Sequence, residues 1–120
     1  MIAGVQLYNV LAPLVGDRIY PLIIREHDDS TTPYIIYQVI NTDPDITKDG
    51  TTGSEWVHVQ IDVYHDDPYQ CTLLANQVIK AINDQIQPSI YGGQQQLYDT
   101  ASDLYRQSID YEFSQTTPTT

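Results

Sequence analysis

The chain has 120 residues, and its sixteen acidic and five basic side chains give a formal net charge of −11 at pH 7. This charge argues against non-specific nucleic-acid binding, which depends on lysine and arginine side chains that neutralise phosphates. Hydrophobic residues make up 41% of the chain, which excludes a wholly disordered protein, and no apolar stretch approaches the roughly 20 residues that span a bilayer. We therefore expect one soluble domain with a single core.

The N-terminus and the cysteine content bear on the cellular compartment. Residues 1–4 lack the cationic region and the apolar core of a secretory signal, so we expect synthesis and retention in a cytoplasm. The single cysteine, Cys71, agrees with this expectation because it cannot form an internal disulfide. It lies in a predicted helix, where a small buried hydrophobe is a better interpretation than a reactive thiol.

The first third of the chain predicts a helix, a short strand and a loop. Residues 2–14 carry apolar side chains at helical spacing, namely Leu7, Val10, Leu11 and Leu14. Pro13 predicts an early or distorted end to this helix, and Gly16 supplies the left-handed residue that often follows a helix. The apolar run 19–24 contains a proline, which indicates an edge strand or an irregular extended stretch. The polar, acidic segment 25–32 has no periodicity and is predicted to be a loop.

Two strands are predicted in the middle of the chain. Residues 34–40 are β-branched or aromatic almost without interruption, which is typical of a central strand that is covered on both faces or lies next to a helix layer. Residues 41–53 contain Asp-Pro, Asp-Gly and a further glycine, and they predict a long loop. In the strand 54–64, Val57, Val59, Ile61 and Val63 alternate with mixed aromatic and polar side chains, so one face belongs to the core.

The second helix has a clear start and an apolar stripe. Asp67 is placed to cap it, Pro68 suits its first position, and Gln70 is placed to complete a capping box. The stripe, through to about Ile86, consists of Cys71, Leu74, Ala75, Val78 and Ile82.

The C-terminal part of the chain predicts extended structure followed by a tail. Gln87-Pro88 and Gly92-Gly93 are predicted to break the chain before an extended polar segment, 94–98. Residues 104–113 predict a final strand with Tyr105, Ile109, Tyr111 and Phe113 on one face, interrupted by Gln107, and Arg106, Ser108, Asp110 and Glu112 on the other. The remaining residues, 114–120, predict a polar tail that is disordered or that becomes ordered on a partner.

This order of elements predicts an α+β fold, with a mainly antiparallel sheet packed against two helices. No repeat or linker divides the chain, so we assign one domain to residues 1–113 and a separate tail to 114–120.

No catalytic constellation emerges from the sequence. The best metal-like group is His58, Asp62 and His65, but the Cβ atoms of the first two lie roughly 13 Å apart along a strand at about 3.3 Å per residue. Phosphate-binding, nucleophile-elbow and zinc-peptidase motifs are absent. We predict no catalytic residue, cofactor or metal, and a small metal-binding or hydrolytic domain based on these three residues is the weaker alternative.

Ten tyrosines, against one tryptophan and one phenylalanine, are the most unusual feature of the composition. Tyrosine is common where one end of a side chain is buried and the other is wet, as at protein interfaces. Rims of an antiparallel sheet explain the same residues equally well. The composition therefore leaves an interaction protein and an unspecialised domain as two possibilities.

Four phrases, in order, resemble the tail terminator and tail-completion proteins of long-tailed bacteriophages. A predicted helix separates the last two of them, and the resemblance extends from the first helix to about Phe113. The phrases are VGDRIYP (15–21), PYIIYQ (33–38), VQIDVY (59–64) and LYRQSIDY (104–111).

The resemblance implies a non-enzymatic α+β virion protein without a cofactor, assembled in the host bacterial cytoplasm. Such proteins form a ring, typically of six subunits, which ends the tail tube and joins the tail to the neck of the filled head. The implied partners are further copies of the chain, the tail tube protein and a neck or head-completion protein. DNA passes through the ring without specific binding, and no membrane is involved. Another neck or head-closure ring subunit is the alternative within the same class.

A ring of this kind suggests which residues contact partners. The mixed face of the strand 56–64 is predicted as one subunit interface, through Trp56, His58, Gln60 and Tyr64. Lys48 and Asp49, near the tip of the predicted loop, are predicted to make an axial contact. Arg25 and Arg106 are predicted to pair with carboxylates of a neighbouring subunit, where isolated ion pairs contribute about 0 to 1 kcal/mol and set register more than affinity.

Overall fold

The computed structural model describes residues 2–47 and 50–116 of the chain. A first helix and a short 3-10 turn precede a short strand, the next two strands form a long hairpin, and a second helix leads to a C-terminal hairpin. The elements are α1 (Ala3–Leu11), the 3-10 turn (Ala12–Leu14), β1 (Ile19–Pro21), β2 (Tyr34–Thr47), β3 (Gly50–His65), α2 (Pro68–Gln85), β4 (Ser89–Asp99) and β5 (Leu104–Thr116).

The strands form one five-stranded sheet in the order β1-β2-β3-β5-β4. Only β1 and β2 run parallel, and the other three neighbouring pairs are antiparallel. Both helices pack on one face of this sheet and contact each other. The predicted α+β class, with a mainly antiparallel sheet against two helices in one domain, is confirmed. Neither helix in the described ranges is long and apolar enough to cross a membrane.

The core lies between the helices and the odd-numbered residues of β3 and β5. The stripe predicted for α2 is buried throughout, as are the odd-numbered apolar residues of β3 and their cross-strand partners. The fully buried apolar residues of the two strands are Val57, Val59, Ile61, Val63, Ile109, Tyr111 and Phe113. Gln107, which interrupts this row, is also buried, and its Nε2 donates to the Thr72 hydroxyl at 3.2 Å.

The first helix ends as the sequence predicts. Pro13 lies in the 3-10 turn that follows α1, because its ring and missing N–H do not suit a continuing α-helix. Near the start of α1, the Tyr37 side chain of β2 lies against the helix, and a Cβ on Gly4 would lie 2.8 Å from the Tyr37 hydroxyl. Glycine at this position therefore leaves room for the tyrosine side chain.

The start of α2 confirms the predicted cap. The Asp67 carboxylate accepts a hydrogen bond from the Gln70 N–H at 2.9 Å, and Pro68 occupies the first turn. The Asp67 N–H donates to Nδ1 of His65 at 3.2 Å, a role that the capping box would assign to the Gln70 side chain. The carboxylate half of the predicted cap is therefore present, and a histidine at the end of β3 supplies the other half.

The predicted loop at 41–53 is wrong, because β2 continues to Thr47 and β3 begins at Gly50. Residues 41–47 and 50–53 form the outer part of a long hairpin, with register irregularities between Val39 and Asn41 and between Pro44 and Ile46. We call residues 41–47 and 50–55 the hairpin arm. The Asp, Pro and Gly content resembled a loop, but a strand that lies beyond the helices needs no apolar face, and an edge strand tolerates proline.

The interpretation of 34–40 as a strand covered on both faces is also wrong. Tyr34 and Ile35 are buried, but Val39 and Ile40 are 41% and 44% exposed. The short β1 covers β2 only at residues 35–37. The apolar run therefore has two parts. Its first residues are buried in the domain, and its last residues form an exposed apolar edge.

Two further predictions near the C-terminus need correction. Gly92-Gly93 is a bulge inside β4 and does not break the chain, and a Cβ on Gly92 would lie 3.1 Å from that of Asp110. β5 extends beyond 113 to Thr116. Gln115, 8% exposed, accepts from the Ala3 N–H at 2.8 Å and donates to the Glu55 carboxylate at 2.6 Å. Residues 114–116 therefore belong to the sheet, and 117–120 lie outside the described residues.

Candidate assembly interface on the open face of the sheet

The face of the sheet opposite both helices carries the even-numbered residues of β3 and β5, and we call it the open face. Strand alternation places these side chains together, because neighbouring strands keep opposite residues on the same face. Its β3 residues are Trp56, His58, Gln60, Asp62 and Tyr64, and the residues opposite them on β5 are Ser114, Glu112, Asp110, Ser108 and Arg106. Four predicted interface residues of β3 and Arg106 of β5 are thus brought onto one surface.

Acidic side chains dominate this surface. Asp62, Asp110 and Glu112 lie on the two central strands, and Asp43 of β2 lies opposite Trp56. Within the described residues, these four carboxylates share the face with one arginine, Arg106, and one histidine. The open face is therefore negatively charged at neutral pH.

His58 lies in the middle of the acidic group. Its Nε2 is 3.7 Å from Oδ1 of Asp110, and Glu112 is directly opposite it in the strand register. The His58 and Asp110 side chains are 35% and 50% exposed, so water screens this contact.

Arg106 has a carboxylate partner within its own chain. Its Nε lies 3.7 Å from Oδ1 of Asp62, and Nε2 of Gln60 donates to both oxygens of that carboxylate at 3.2 Å. The side chains of Arg106 and Asp62 are only 29% and 14% exposed. The arginine therefore holds β5 to β3 on the open face, and this contact competes with the predicted pairing to a neighbouring subunit.

Two tyrosines close one end of the open face. The rings of Tyr34 and Tyr64 stack with centroids 5.0 Å apart and an interplanar angle of 17°. Burial raises the pKa of both hydroxyls, and the Asp62 carboxylate adds to this effect at Tyr64 while the Arg106 charge opposes it. Both tyrosines therefore remain neutral at physiological pH, and the stack forms an apolar floor at the start of β2.

The other predicted contact residues lie elsewhere. Arg25 is in the loop between β1 and β2, where its Nε is 3.6 Å from the carboxylate of Asp28 in the same loop. Its side chain is 62% exposed. Lys48 and Asp49 lie outside the described residues, so their predicted axial contact stays a prediction.

The metal-like residues have separate neighbours. His58 is near Asp110, Asp62 is near Arg106, and His65 Nδ1 lies 2.8 Å from the carboxylate of Asp66. Among residues 2–47 and 50–116, no three His, Cys, Asp or Glu side chains are grouped so that they could hold one metal ion.

The set of predicted interface residues omitted four that complete the surface, namely Tyr34, Asp62, Asp110 and Glu112. The alternation of β5 already placed two of these carboxylates on its polar face. Pairing that face with the polar face of β3 would have identified both. Tyr34 needed the register between β2 and β3, which places it directly opposite Tyr64.

Comparisons with known proteins identify the fold and the family. The family model described as "Tail completion protein gp17" matches residues 7–115. Among solved structures, a chain from the structure titled "Virion of native gene transfer agent (GTA) particle" is similar to this one with a TM-score of 0.60 and 16% sequence identity. The similarity covers 93% of this chain and 92% of that chain. A search of curated proteins finds no match.

The family match extends over nearly all the elements described above, from within α1 to within β5. The structural similarity, at its low identity, independently supports the shared fold. The chain therefore belongs to the tail completion protein family, as a structural component of a phage or phage-like virion.

Proposed function

We propose that six copies of the chain form a ring that ends the tail tube and joins the tail to the head-neck, with the open face lining the channel. The observation that carries this proposal is the charge of the open face. Its acidic side chains outnumber its basic ones, and its one arginine has a partner in Asp62. The proposed function is assembly, so this surface needs to contact partner proteins and to keep DNA from binding.

The charge of the channel wall affects DNA that slides through the ring. Lysine and arginine side chains bind phosphates and release counterions, so a basic channel would retain DNA. Carboxylates at Asp62, Asp110 and Glu112 repel phosphates instead, and Arg106 is partly neutralised by Asp62. A channel lined in this way would let DNA pass without specific binding.

The hairpin arm is the proposed contact with the tail tube or the neck. The molecule measures 51 × 28 × 24 Å along its principal axes, and the paired strands of the arm lie beyond the part of the sheet that the helices bury. An extension of this kind can reach an axial neighbour while the domain body stays in the ring. Lys48 and Asp49 are proposed to contribute to this contact.

Imaging of tails by electron microscopy tests the proposal. We expect a ring with six-fold symmetry at the head-proximal end of the tube, built from this chain. Assembly without the chain should give tubes of uncontrolled length, because nothing ends their growth. It should also give heads without attached tails.

The same experiment separates the terminator from the alternative neck component. Tubes of normal length that fail to join heads would identify a neck or head-closure subunit. A ring with another number of subunits, or a location away from the head-tail joint, would contradict the proposal.

A further inference from the structure

We infer that the two outer edges of the sheet pair with each other between copies, so that β4 of one subunit adds as a strand beside β2 of the next. The inference rests on the proposed ring and identifies the surfaces that close it. The partner is a second copy of this chain, and the contact is an antiparallel ladder. Backbone direction, charge and exposed apolar side chains at the two edges support this contact.

The first edge is β4. It pairs with β5 on one side and, among the described residues, with no strand on the other. Natural edge strands are usually protected by charged side chains, by proline or by being very short. β4 has eleven residues, no proline and no charged side chain before Asp99, although 18% of the chain is charged. Its bulge at Gly92-Gly93 is the one protective feature it carries.

The second edge is β2 beyond the end of β1. The Ile35 N–H donates to the Arg18 carbonyl at 2.9 Å, and the Leu22 N–H donates to the Tyr37 carbonyl at 2.8 Å. Odd-numbered residues of β2 therefore direct their backbone groups to this edge, and Val39 is the next of them. β1 pairs only with residues 35–37, so among the described residues this edge is open from Val39 to Thr47. Residues 39–42 carry no charge and no proline, whereas Asp43, Pro44 and Asp45 protect the part that follows. We therefore place the pairing at 39–42.

Exposed apolar side chains concentrate at these two edges. Of the twelve large hydrophobic residues that are exposed in the described part of the chain, seven lie on β4, on β2 or in the turn beside β2. They are Leu22, Ile23, Val39, Ile40, Ile90, Tyr91 and Tyr98. Leu22 also has a left-handed backbone, with φ of 67°, and is 66% exposed. Such a conformation is unfavourable for leucine, and here it lies in the bend that directly follows β1.

The directions of the strands suit pairing between copies. Three antiparallel steps separate β2 from β4 in the sheet, so β4 runs antiparallel to β2. A ring repeats the subunit by rotation, which brings the β4 edge of one copy to the β2 edge of the next in the same relative direction. Because the two edges differ, the contact is head-to-tail and can close a ring.

Matched lysine variants test the inference. Ile90→Lys and Ile40→Lys place a charge on β4 and β2 at positions that are 53% and 44% exposed. Ile90 lies opposite Glu112, so its lysine variant should keep the fold of the subunit. Leu73→Lys, at a position 40% exposed on α2, is the control with the same change of charge. Circular dichroism confirms folding, and native mass spectrometry on tail ends measures ring formation.

We expect each edge variant to reduce ring formation on the order of tenfold or more, while the Leu73→Lys control assembles like the unmodified chain. A mixture of the two edge variants gives the sharpest result. Each Ile40→Lys copy keeps an intact β4 edge and each Ile90→Lys copy keeps an intact β2 edge. One contact can therefore form between them, and the mixture should stop at dimers.

Cross-linking between introduced cysteines tests the contact between copies without disrupting it. Within one chain, β2 and β4 are three strand spacings apart, roughly 14 Å at about 4.8 Å per strand, beyond the roughly 7 Å that a disulfide can bridge. A chain carrying both Ile40→Cys and Ile90→Cys should therefore form disulfides only between copies when it is oxidised. We expect a ladder of covalent oligomers up to the full ring, and Cys71 is too buried to compete.

Several results would overturn the edge pairing. Rings of normal yield from either edge variant would do so while leaving the proposed function intact, and so would the absence of cross-linked oligomers in preparations that contain rings. Sensitivity to Ile90→Lys alone would indicate β4 pairing with β4, which also contradicts the inference. If the unmodified chain forms no ring on tails, the proposed function itself fails.

Discussion

The two faces of β3 share one backbone but carry very different side chains. On the helix side, Val57, Val59, Ile61 and Val63 are 0% exposed. On the open side, the three polar residues between them stay partly accessible. Asp62 pairs with Arg106 of β5, and His58 lies near Asp110 of β5. Alternation along one strand thus separates the residues that hold the domain together from those available to partners.

This difference indicates how a small subunit can be both stable and adaptable. Burial on the helix side supplies the hydrophobic free energy of folding, at about 25 cal/mol per Å² of apolar surface. The open face contributes less to stability, so its charge can be set by the requirements of a channel. Substitutions on the helix side should therefore change stability. Substitutions on the open face should change assembly or DNA passage.

The largest expected effect is on the helix side. Phe113→Ala removes a fully buried ring from the core, and we expect a loss of about 3 to 5 kcal/mol in the free energy of unfolding. Glu112→Ala, one position away on the exposed side, should change it by less than about 0.5 kcal/mol. Urea unfolding followed by circular dichroism measures both. Equal losses would contradict the separation of the two faces.

The largest stability effect on the open face should come from Arg106. Arg106→Met leaves the Asp62 carboxylate, 14% exposed, without its cation, and we expect a loss of about 1 to 2 kcal/mol. Arg25→Met is the matched control, because that arginine is 62% exposed beside Asp28 and should contribute at most about 0.5 kcal/mol. The loss at Arg106 should shrink when Asp62→Asn is also present. An undiminished loss in the double variant would show that Asp62 is not its partner.

The pH dependence of stability tests another buried group on the helix side, the Cys71 thiol. Burial raises the pKa of the Cys71 thiol from 9.0 to about 11. Because the folded protein favours the neutral thiol, the contribution of this thiol to stability is complete below pH 9. It is lost as the pH rises toward 11. At pH 11 the free energy of unfolding of the unmodified chain should have fallen by roughly 2 kcal/mol more than that of Cys71→Ala. Parallel stability curves for the two proteins would contradict the shift.

The pKa values of Tyr34, Tyr37, Tyr64 and Tyr111 are also raised by burial. Their ionisation lowers stability above pH 10 in both proteins. The difference between the unmodified chain and the cysteine variant removes this shared decline and leaves the contribution of the thiol.

The smallest effect on stability, but a clear one on function, is expected from reversing a charge on the open face. Glu112→Lys should change unfolding by about 0.5 kcal/mol or less. It should nevertheless make assembled rings bind DNA with an affinity that falls as salt rises. Gln77→Lys, at an exposed position on α2, should leave DNA binding unchanged. Equal DNA binding by both variants would show that the open face does not line the channel.

Much of the fold could be predicted from local pattern. The buried stripe of α2, its cap at Asp67 and the alternation of β3 follow from side-chain spacing, and all three are present. The hairpin arm could not be predicted in this way. Its Asp-Pro and Asp-Gly pairs resemble a loop, and only pairing between distant residues makes them a strand. The bulge at Gly92-Gly93 was missed for the same reason.

The candidate site was predicted in part. Strand alternation identified the polar faces of β3 and β5 separately, but their register decides which charges meet. The pairing of Arg106 with Asp62 and of His58 with Asp110 depends on that register. The stack of Tyr34 on Tyr64 likewise needs β2 to be aligned with β3. Sequence reasoning therefore found the surface but not its internal contacts.

The most direct test of the account is an electron microscopy reconstruction of the head-proximal tail end that resolves the orientation of each subunit. The account predicts six copies with the open face toward the channel and α1 and α2 on the outside. It also predicts that β4 of each copy lies beside β2 of the next. Helices that line the channel, or a ring with a different number of subunits, would contradict it.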